Sequence, residues 1–380
     1  MSKKLFVLAG EVSGDMHAAG AVSELLKARP DIKVFGIGGE RLRSLGTELM
    51  YDTRQMSIMG FVDVLKHAGF LRRVIRDLKR AVRREKPSAA FLVDYPGLNL
   101  MMAKFFHEQG IPVIYYVSPQ VWAWKEGRVK AIRRYIDRML VIFDFEVDFY
   151  RKHQIQAEFV GHPVVEELAA HTFPSAEVFA KKHDIEPGIK LIGLLPGSRR
   201  QELVSILPEM LKAARLLGGR YRTVFLLGKA PALPGECFSI LSEFPELSVI
   251  ECPAYEVMQY SDLVLVTSGT ATLECLCFGA PMIVVYRTGW LNYQIARRLV
   301  KLNNISLANI VTKGLVSSEQ LVPELLQDNA TGEEIFRQAA AILDDPVLAA
   351  KMRRELLEAR ARLGGSSPSQ KIAGILQEYL

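Results

Sequence analysis

The reading of the fold turns on residues 262–274, Asp262-Leu-Val-Leu-Val-Thr-Ser-Gly-Thr-Ala-Thr-Leu-Glu274. Residues 263–266 are a short β-rich apolar run. The run breaks at Ser268-Gly269-Thr270 and continues as a helix carrying Glu274. A strand that feeds a small-residue loop and then a helix leaves unpaired backbone N–H groups at the helix start, where they can hold phosphate. Gly269 lets a ligand approach the backbone, and the hydroxyls of Ser268 and Thr270 add donors. Glu274 lies one turn past Thr270, where a carboxylate can take the hydroxyls of a ribose. A nucleoside diphosphate would be gripped in this way. The same residues also fit an ordinary βα turn with Thr270 as the helix N-cap.

Two other stretches repeat the pattern. Residues 190–195 read as a buried strand, followed by Pro196-Gly197-Ser198-Arg199-Arg200-Gln201-Glu202. Arginine offers a planar fork that matches phosphate oxygens. A helix N-terminus is itself positive, so cations placed there make sense when an anion sits beside them. The bland reading is a pair of solvated charges on a first helical turn. At the N-terminus, residues 4–9 read as a strand and Gly10-Glu11-Val12-Ser13-Gly14-Asp15 as a loop, with a helix from about 16 to 28. This loop is acidic and suits sugar hydroxyls better than phosphate; Asp15 also reads as a simple N-cap. The dinucleotide fingerprint G-x-G-x-x-G is absent from this first βα turn, and Gly36-Ile-Gly38-Gly39 echoes it in the wrong context.

Length and composition bound the rest. A chain of 380 residues suggests two α/β domains, and 49% hydrophobic with 24% charged residues describes a globular protein with a large core. The four cysteines, Cys237, Cys252, Cys275 and Cys277, form no CxxC pair, so neither a zinc site nor a disulfide framework is indicated, in keeping with a reducing cytoplasm. Lys3 and Lys4 precede only a short apolar run before Glu11, so no signal peptide is expected. The most hydropathic region, 263–286, is broken by Gly269, Glu274, Gly279 and Pro281 and reads as buried strand, helix and strand rather than a membrane span.

Strand and helix patterns alternate throughout. Further strand candidates are 33–37, 89–93, 113–116, 138–142, 223–227, 248–251 and 282–286. The expected architecture is α/β, with two doubly wound parallel-sheet, Rossmann-like domains facing each other across a substrate cleft at the carboxyl ends of their strands. The expected division is residues 1–165, 166–350 and a helical tail 351–380 that returns to the N-terminal domain, with the boundary near His162-Pro163. After Ile335 the chain turns helical through Leu363, breaks at Gly364-Gly-Ser-Ser-Pro-Ser369, and ends in a short helix.

Charge is uneven. Residues 66–86 hold nine Lys or Arg and two acids, a local +7, whereas the whole chain is +6. Leu71, Val74, Ile75, Leu78 and Val82 repeat there at helical spacing. A basic amphipathic helix can lie on an anionic membrane, with Phe70 and Leu71 dipping into the interface, or can pack its apolar stripe on a sheet. No nucleic-acid motif or aromatic platform accompanies the charge.

The remaining chemical candidates end strands of the first half. Asp94-Tyr95-Pro96-Gly97 follows the strand 89–93, where an ionisable group can serve as a general base; a turn-initiating Asp is the plainer reading. Val117-Ser118-Pro119-Gln120-Val121-Trp122-Ala123-Trp124 follows another strand, and its polar and indole groups suit a sugar or acyl pocket or a buried core. His162, near the boundary, is a further candidate, although a lone histidine is usually structural.

These strings together resemble the lipid-A-disaccharide synthases, inverting glycosyltransferases of the two-Rossmann GT-B type. The matching segments are Ala9-Gly-Glu-Val-Ser-Gly-Asp15, Met59-Gly-Phe-Val-Asp-Val-Leu65, Tyr116-Val-Ser-Pro-Gln-Val-Trp-Ala-Trp124, Gly161-His162, Leu194-Leu-Pro-Gly-Ser-Arg199, Ser268-Gly-Thr-Ala-Thr-Leu-Glu274 and Ile305-Ser-Leu-Ala-Asn309, in family order. Two departures stand out. The family often reads Asp-x-Pro-Asp-Phe-Asn where this chain has Asp94-Tyr-Pro-Gly-Leu-Asn99, which leaves Asp94 as the only acid of that loop. It often has Pro where this chain has Ala308.

The resemblance implies transfer from UDP-2,3-diacylglucosamine to 2,3-diacylglucosamine 1-phosphate (lipid X), giving a β-1′,6-linked disaccharide phosphate and UDP. It implies a donor site of Ser198, Arg199, Ser268, Gly269, Thr270, Glu274 and Asn309. Asp94 would be the base, aided by Glu11 and Asp15, with Ser13, Gly14, Ser118, Gln120, Trp122 and His162 about the acceptor. Neither metal nor cofactor is expected. The implied setting is a homodimer with exchanged C-terminal segments, cytoplasmic and peripheral on the inner face of the bacterial inner membrane. The rivals are another UDP-sugar enzyme of this fold, such as a UDP-N-acetylglucosamine 2-epimerase or a muramyl-lipid transferase, and a non-catalytic binder. The 118–124 string argues against the first pair.

Overall fold

The computed structural model describes residues 3–57, 68–119, 121–122, 126–230, 233–289, 303–365 and 367–380. Gln120, Lys66, Ala123, Trp124 and the 59–65 segment lie outside the described residues. The chain forms two compact units, one of Met1–Glu167 with Leu363–Leu380 and one of Leu168–Arg362.

The first unit is built on a seven-stranded parallel sheet, ordered β3-β2-β1-β4-β5-β6-β7. Its strands are β1 (Lys4–Ala9), β2 (Lys33–Gly38), β3 (Glu48–Asp52), β4 (Ala89–Val93), β5 (Val113–Tyr116), β6 (Arg138–Val141) and β7 (Ala157–Phe159). β1 and β4 lie at the centre and are buried on both faces, as continuous apolar runs require. Alternation divides β1 between two cores. Phe6 and Leu8 join one core with Val74, Leu78 and Val82 of the helix Ala68–Glu85 and Met102 and Phe106 of the helix Pro96–Glu108. Leu5, Val7 and Ala9 join the other with Ala18, Val22 and Leu25 of the helix Val12–Ala28. That second core also takes Ile372, Ile375 and Leu376 of the final helix Pro368–Gln377, which lies along Val12–Ala28. The returning segment is therefore part of this unit's hydrophobic interior.

The second unit carries a six-stranded parallel sheet, ordered β10-β9-β8-β11-β12-β13. Its strands are β8 (Lys190–Leu195), β9 (Thr223–Gly228), β10 (Val249–Cys252), β11 (Leu263–Thr267), β12 (Met282–Tyr286) and β13 (Glu324–Leu326). β8 and β11 pair at the centre, from Leu263 beside Ile192 to Val266 beside Leu195. This register brings the Gly197 and Gly269 loops out side by side. The helix Pro346–Arg360 belongs to this unit, and the segment counted with the first unit begins at Leu363.

Two expectations change. The helix after β1 begins at Val12, not near residue 16, so Ser13, Gly14 and Asp15 sit in its first turn instead of a loop. Glu11 supplies the extended residue before it, and the Asp15 amide already bonds back to the Glu11 carbonyl at 2.9 Å. Phe70 and Leu71 do not stand out toward a membrane. They pack against the first unit's core, Phe70 edge-on to Tyr51 with ring centres 5.9 Å apart. An apolar ring at a sheet edge is better buried there than left in water.

Candidate functional site

In the second unit, a cavity of about 850 Å³ opens at the carboxyl ends of β8 to β11. Open parallel sheets bind ligands at this edge because loops and helix N-termini converge there. Ser198, Arg199, Ser268, Gly269, Thr270 and Glu274 all line this cavity, so six of the seven expected donor residues lie on one surface.

The two glycine loops have distinct backbone reasons. Gly269 precedes the helix Thr270–Phe278 with φ 147°, a region that favours glycine, and a Cβ added there would meet nothing within 4 Å. Its backbone is thus open to a ligand, ahead of the Thr270 and Ala271 amides that begin the helix. Gly197 has φ 114°, and a Cβ would come within 2.7 Å of Glu202 Oε2, so this turn packs against its own helix.

Arg199 and Arg200 part company. Arg199 precedes the helix Arg200–Arg220 and faces the cavity, whereas Arg200 lines a separate groove with Val204 and Pro234. The Arg199 Nη1 donates to Glu202 Oε1 at 3.1 Å, yet its side chain is 82% exposed. So exposed a pair holds the guanidinium weakly, and a diphosphate can take it over. Glu274 Oε1 accepts a long bond from the Tyr255 hydroxyl at 3.4 Å. Tyr255 and Lys229, which the sequence reading missed, also line the cavity. Lys229 is paired with Glu251 and stands over the Phe238 ring. Tyr255 follows β10 in another strand-to-helix turn, which is the signal that could have found it.

Asn309 is the exception among the donor residues. It does not line the cavity; it is wholly buried, and its amide joins the start of the helix Leu307–Lys313 to β13. Nδ2 donates to Val322 O at 2.9 Å and Glu324 Oε1 at 2.8 Å, while Oδ1 accepts from the Leu321 and Val322 amides at 2.8 and 3.0 Å. Every polar position of the side chain is occupied, so it is a loop clamp.

In the first unit, a smaller cavity of about 240 Å³ lies at the carboxyl ends of β4, β5 and β6. Asp94, Ser118, Arg128 and Glu146 line it. Asp94, Tyr95 and Val117 all adopt left-handed φ, at 49°, 44° and 60°. Such conformations persist only where surroundings over-determine them, and they gather at functional sites. Here the Asp94 carbonyl accepts from Asn99 Nδ2 at 2.5 Å and from the Tyr115 hydroxyl at 2.7 Å, which fixes the turn from behind. Burial raises the Asp94 carboxyl from its usual 3.8 to about 6; the charge of Glu11 adds to the rise and the Tyr95 amide opposes it. A carboxylate at that level is suited to general base chemistry near neutral pH.

Glu146, which sequence reading also missed, organises the wall of this cavity. Its Oε1 accepts from Ser118 Oγ at 2.6 Å and Trp122 Nε1 at 3.1 Å, and its Oε2 from the Ile142 and Phe143 amides at 3.2 and 3.1 Å. Burial lifts its carboxyl to about 7 against the pull of those four bonds. Ser118, which lines the cavity, and Trp122, which does not, are therefore both tethered to Glu146. The absence of a second acid from the Asp94 loop is thus offset in space: the charge of Glu11 reaches Asp94 from another element, and Glu146 lines the same cavity.

The other first-unit expectations divide. Glu11 and Ser13 are exposed at the start of Val12–Ala28, and Gly14 is buried there. Asp15 faces inward. Its carboxylate accepts from the amides of Gly39 at 2.6 Å, Arg41 at 3.1 Å and Leu42 at 3.3 Å, and so caps the short helix Glu40–Ser44. A carboxylate that accepts three amides at a helix terminus acts as a structural cap. His162 is buried, accepts the Val164 amide on Nδ1 at 3.1 Å, and is held neutral, lowered to about 3 by burial and then by His17. It tethers the chain entering the helix Pro163–Ala169, and its own amide donates to Leu363 O at 2.7 Å.

Two Rossmann-like units, each on a parallel sheet of six or seven strands, define a GT-B fold. The crystal structure of UDP-GlcNAc 2-epimerase from Neisseria meningitidis bound to UDP-GlcNAc shares this fold at a TM-score of 0.61 and 15% identity, over 99% of this chain and 100% of that one. The family is defined by sequence. The model for lipid-A-disaccharide synthetase matches residues 5–373, and the chain belongs to that family. The lipid-A-disaccharide synthases of Geobacter sulfurreducens and Geobacter metallireducens are each 38% identical to it over 382 residues, covering 100% of this chain and 98% of each relative. It is accordingly a glycosyltransferase.

Proposed function

We propose that the chain transfers the sugar of UDP-2,3-diacylglucosamine to the 6-hydroxyl of lipid X in a single inverting displacement. The acceptor oxygen forms the new bond to the anomeric carbon, the bond to UDP breaks, and UDP leaves with the electron pair. Asp94 takes the acceptor's proton. The helix-start amides after Gly269, the hydroxyls of Ser198, Ser268 and Thr270, and the Arg199 guanidinium hold the diphosphate as negative charge grows on it. Glu274 takes the ribose. Glu11 keeps Asp94 basic, and Ser118, tethered to Glu146 together with Trp122, forms the acceptor wall. The single observation that carries this reading is the convergence of Ser198, Arg199, Ser268, Gly269, Thr270 and Glu274 on one cavity at the strand ends.

Both substrates are diacylated, so the same reading places the enzyme at a lipid surface, peripherally on the cytoplasmic face of the inner membrane, and as a homodimer. No helix among the described residues is long and apolar enough to cross a membrane. The helix Ala68–Glu85 supports surface attachment: Arg72, Arg73, Arg76, Arg80, Arg83 and Arg84 are exposed, opposite a buried stripe of Val74, Leu78, Ala81 and Val82. An anionic bilayer attracts such a face.

The deciding experiment follows UDP release from the acylated donor with and without lipid X. Release that depends on lipid X, with formation of the disaccharide phosphate, is expected. Isomerisation of the donor without acceptor would identify an epimerase, and tight binding without release would identify a binder.

A further inference from the structure

The cavity beside Asp94 contains a cation that the transfer chemistry has not used. Arg128 lines the same cavity as Asp94, Ser118 and Glu146, and it is the one basic residue among the described residues that do so. Among the described residues its guanidinium has neither an ion pair nor a hydrogen bond. The two acids of the cavity do not claim it. Both Glu146 oxygens are taken by the Ser118, Trp122, Ile142 and Phe143 donors, and the Asp94 carboxylate is bonded by the Tyr95 amide. Arg128 is nevertheless only partly exposed where it lines the cavity. Its charge is felt at the buried Tyr115 phenol, whose hydroxyl donates to the Asp94 carbonyl at 2.7 Å. A guanidinium with no partner among the described residues, on the wall of a cavity that also holds the proposed base, is suited to an anion on the molecule whose proton the base removes. A phosphate monoester matches the planar fork of arginine with two parallel hydrogen bonds.

We propose that Arg128 binds the anomeric phosphate of the acceptor, selecting a 1-phosphorylated sugar and holding its hydroxyl toward Asp94. This rests on the transferase reading above and deepens it by naming the residue that sets acceptor specificity.

The test crosses one substitution with one substrate change. Wild type and Arg128→Gln are each assayed with lipid X and with 2,3-diacylglucosamine lacking the phosphate, at fixed donor. A charge-assisted contact predicts that wild type loses about 10- to 100-fold in kcat/KM when the phosphate is removed. Arg128→Gln should show the same loss on lipid X, carried mainly by acceptor KM, and little further loss on the phosphate-free lipid. Arg128→Lys should recover part of the lost activity on lipid X alone. UDP affinity and thermal stability should match wild type in both variants. A structural role would lower activity equally on both acceptors, and that result overturns the proposal, as does a variant that still prefers the phosphorylated acceptor as strongly as wild type. Wild type that releases no UDP with either acceptor would instead remove the transferase reading and this inference with it.

Discussion

Asp94→Asn separates the role of this residue in catalysis from its cost to stability. Asparagine is nearly isosteric and tolerates the left-handed φ of 49° at this position, so the turn should survive. The carboxyl sits at about 6 in the folded protein and at an ordinary 3.8 when the chain is unfolded. Between those values the folded state holds a proton that the unfolded chain has released, so this residue's contribution to stability is present below pH 3.8 and is lost as pH rises through 6. At about 1.4 kcal/mol per decade, the gap costs the native state at most about 3 kcal/mol at pH 8. The asparagine variant escapes that cost. Denaturant unfolding should find it more stable than wild type at pH 8, by up to about 3 kcal/mol, and the difference should shrink toward zero near pH 4. Turnover should move the other way, falling by roughly 10²- to 10⁴-fold, with UDP affinity by calorimetry unchanged. In wild type, kcat/KM should climb with pH through about 6 and then level. A variant that keeps its turnover, or is no more stable than wild type at pH 8, would refute the claim that a desolvated carboxylate is retained here for proton transfer.

Three further outcomes follow from the geometry. Arg199→Ala should weaken UDP binding about 10-fold or more, the usual worth of a charge-assisted contact, and lower turnover with it; Glu274→Ala should chiefly raise the donor KM, and unchanged calorimetric UDP affinity in both would overturn the donor site. Glu146→Gln presents an amide donor to groups that themselves donate, so it should lower the melting temperature by an amount equivalent to about 1–3 kcal/mol and slow turnover without altering UDP affinity; wild-type acceptor kinetics in this variant would detach the 117–122 wall from the chemistry. Replacing Arg72, Arg73, Arg76 and Arg80 together by Gln should reduce co-sedimentation with anionic liposomes at low salt while leaving UDP binding intact. Liposome binding insensitive to both salt and these changes would move the membrane contact elsewhere.

What the sequence revealed and what it hid follow from the range of each interaction. Central strands such as Ala89–Val93 and Leu263–Thr267 are continuous apolar runs, buried at every position, and the run alone marks them. Glu48–Asp52, Ala157–Phe159 and Glu324–Leu326 went unread because edge strands are short and only partly buried, so polar residues break the pattern. The proposed donor loops were legible for a similar reason: each lies within a few residues of the strand that positions it. Side-chain partnerships were not. Asp15 reads locally as a cap for its own helix, yet the amides it accepts belong to residues 39, 41 and 42. Asn309 stands in a segment that the family resemblance assigns to the donor site, yet its bonds go to 321–324.

The same distinction governs Asp94, the proposed base. The Asp94 loop, taken alone, has one acid, and a sequence-local view therefore leaves that acid without an electrostatic partner. In the fold, the parallel sheet brings the ends of β1, β4, β5 and β6 to one edge. Glu11 arrives after β1 and raises Asp94 by its charge. Glu146 arrives after β6 and takes the hydroxyl and indole of the loop after β5. The basicity of one carboxylate is thus set by burial together with an acid more than eighty residues earlier in the chain. Replacing a second acid within the Asp94 loop by glycine need not disarm the base, because the field that tunes it comes from neighbouring strands. Glu11→Gln gives this argument its own test. The wild-type rise of kcat/KM with pH should shift to lower pH when the neighbouring charge is removed, because Asp94 then ionises more readily. A profile that stays in place would mean that burial alone sets the base and that Glu11 serves the acceptor in some other way.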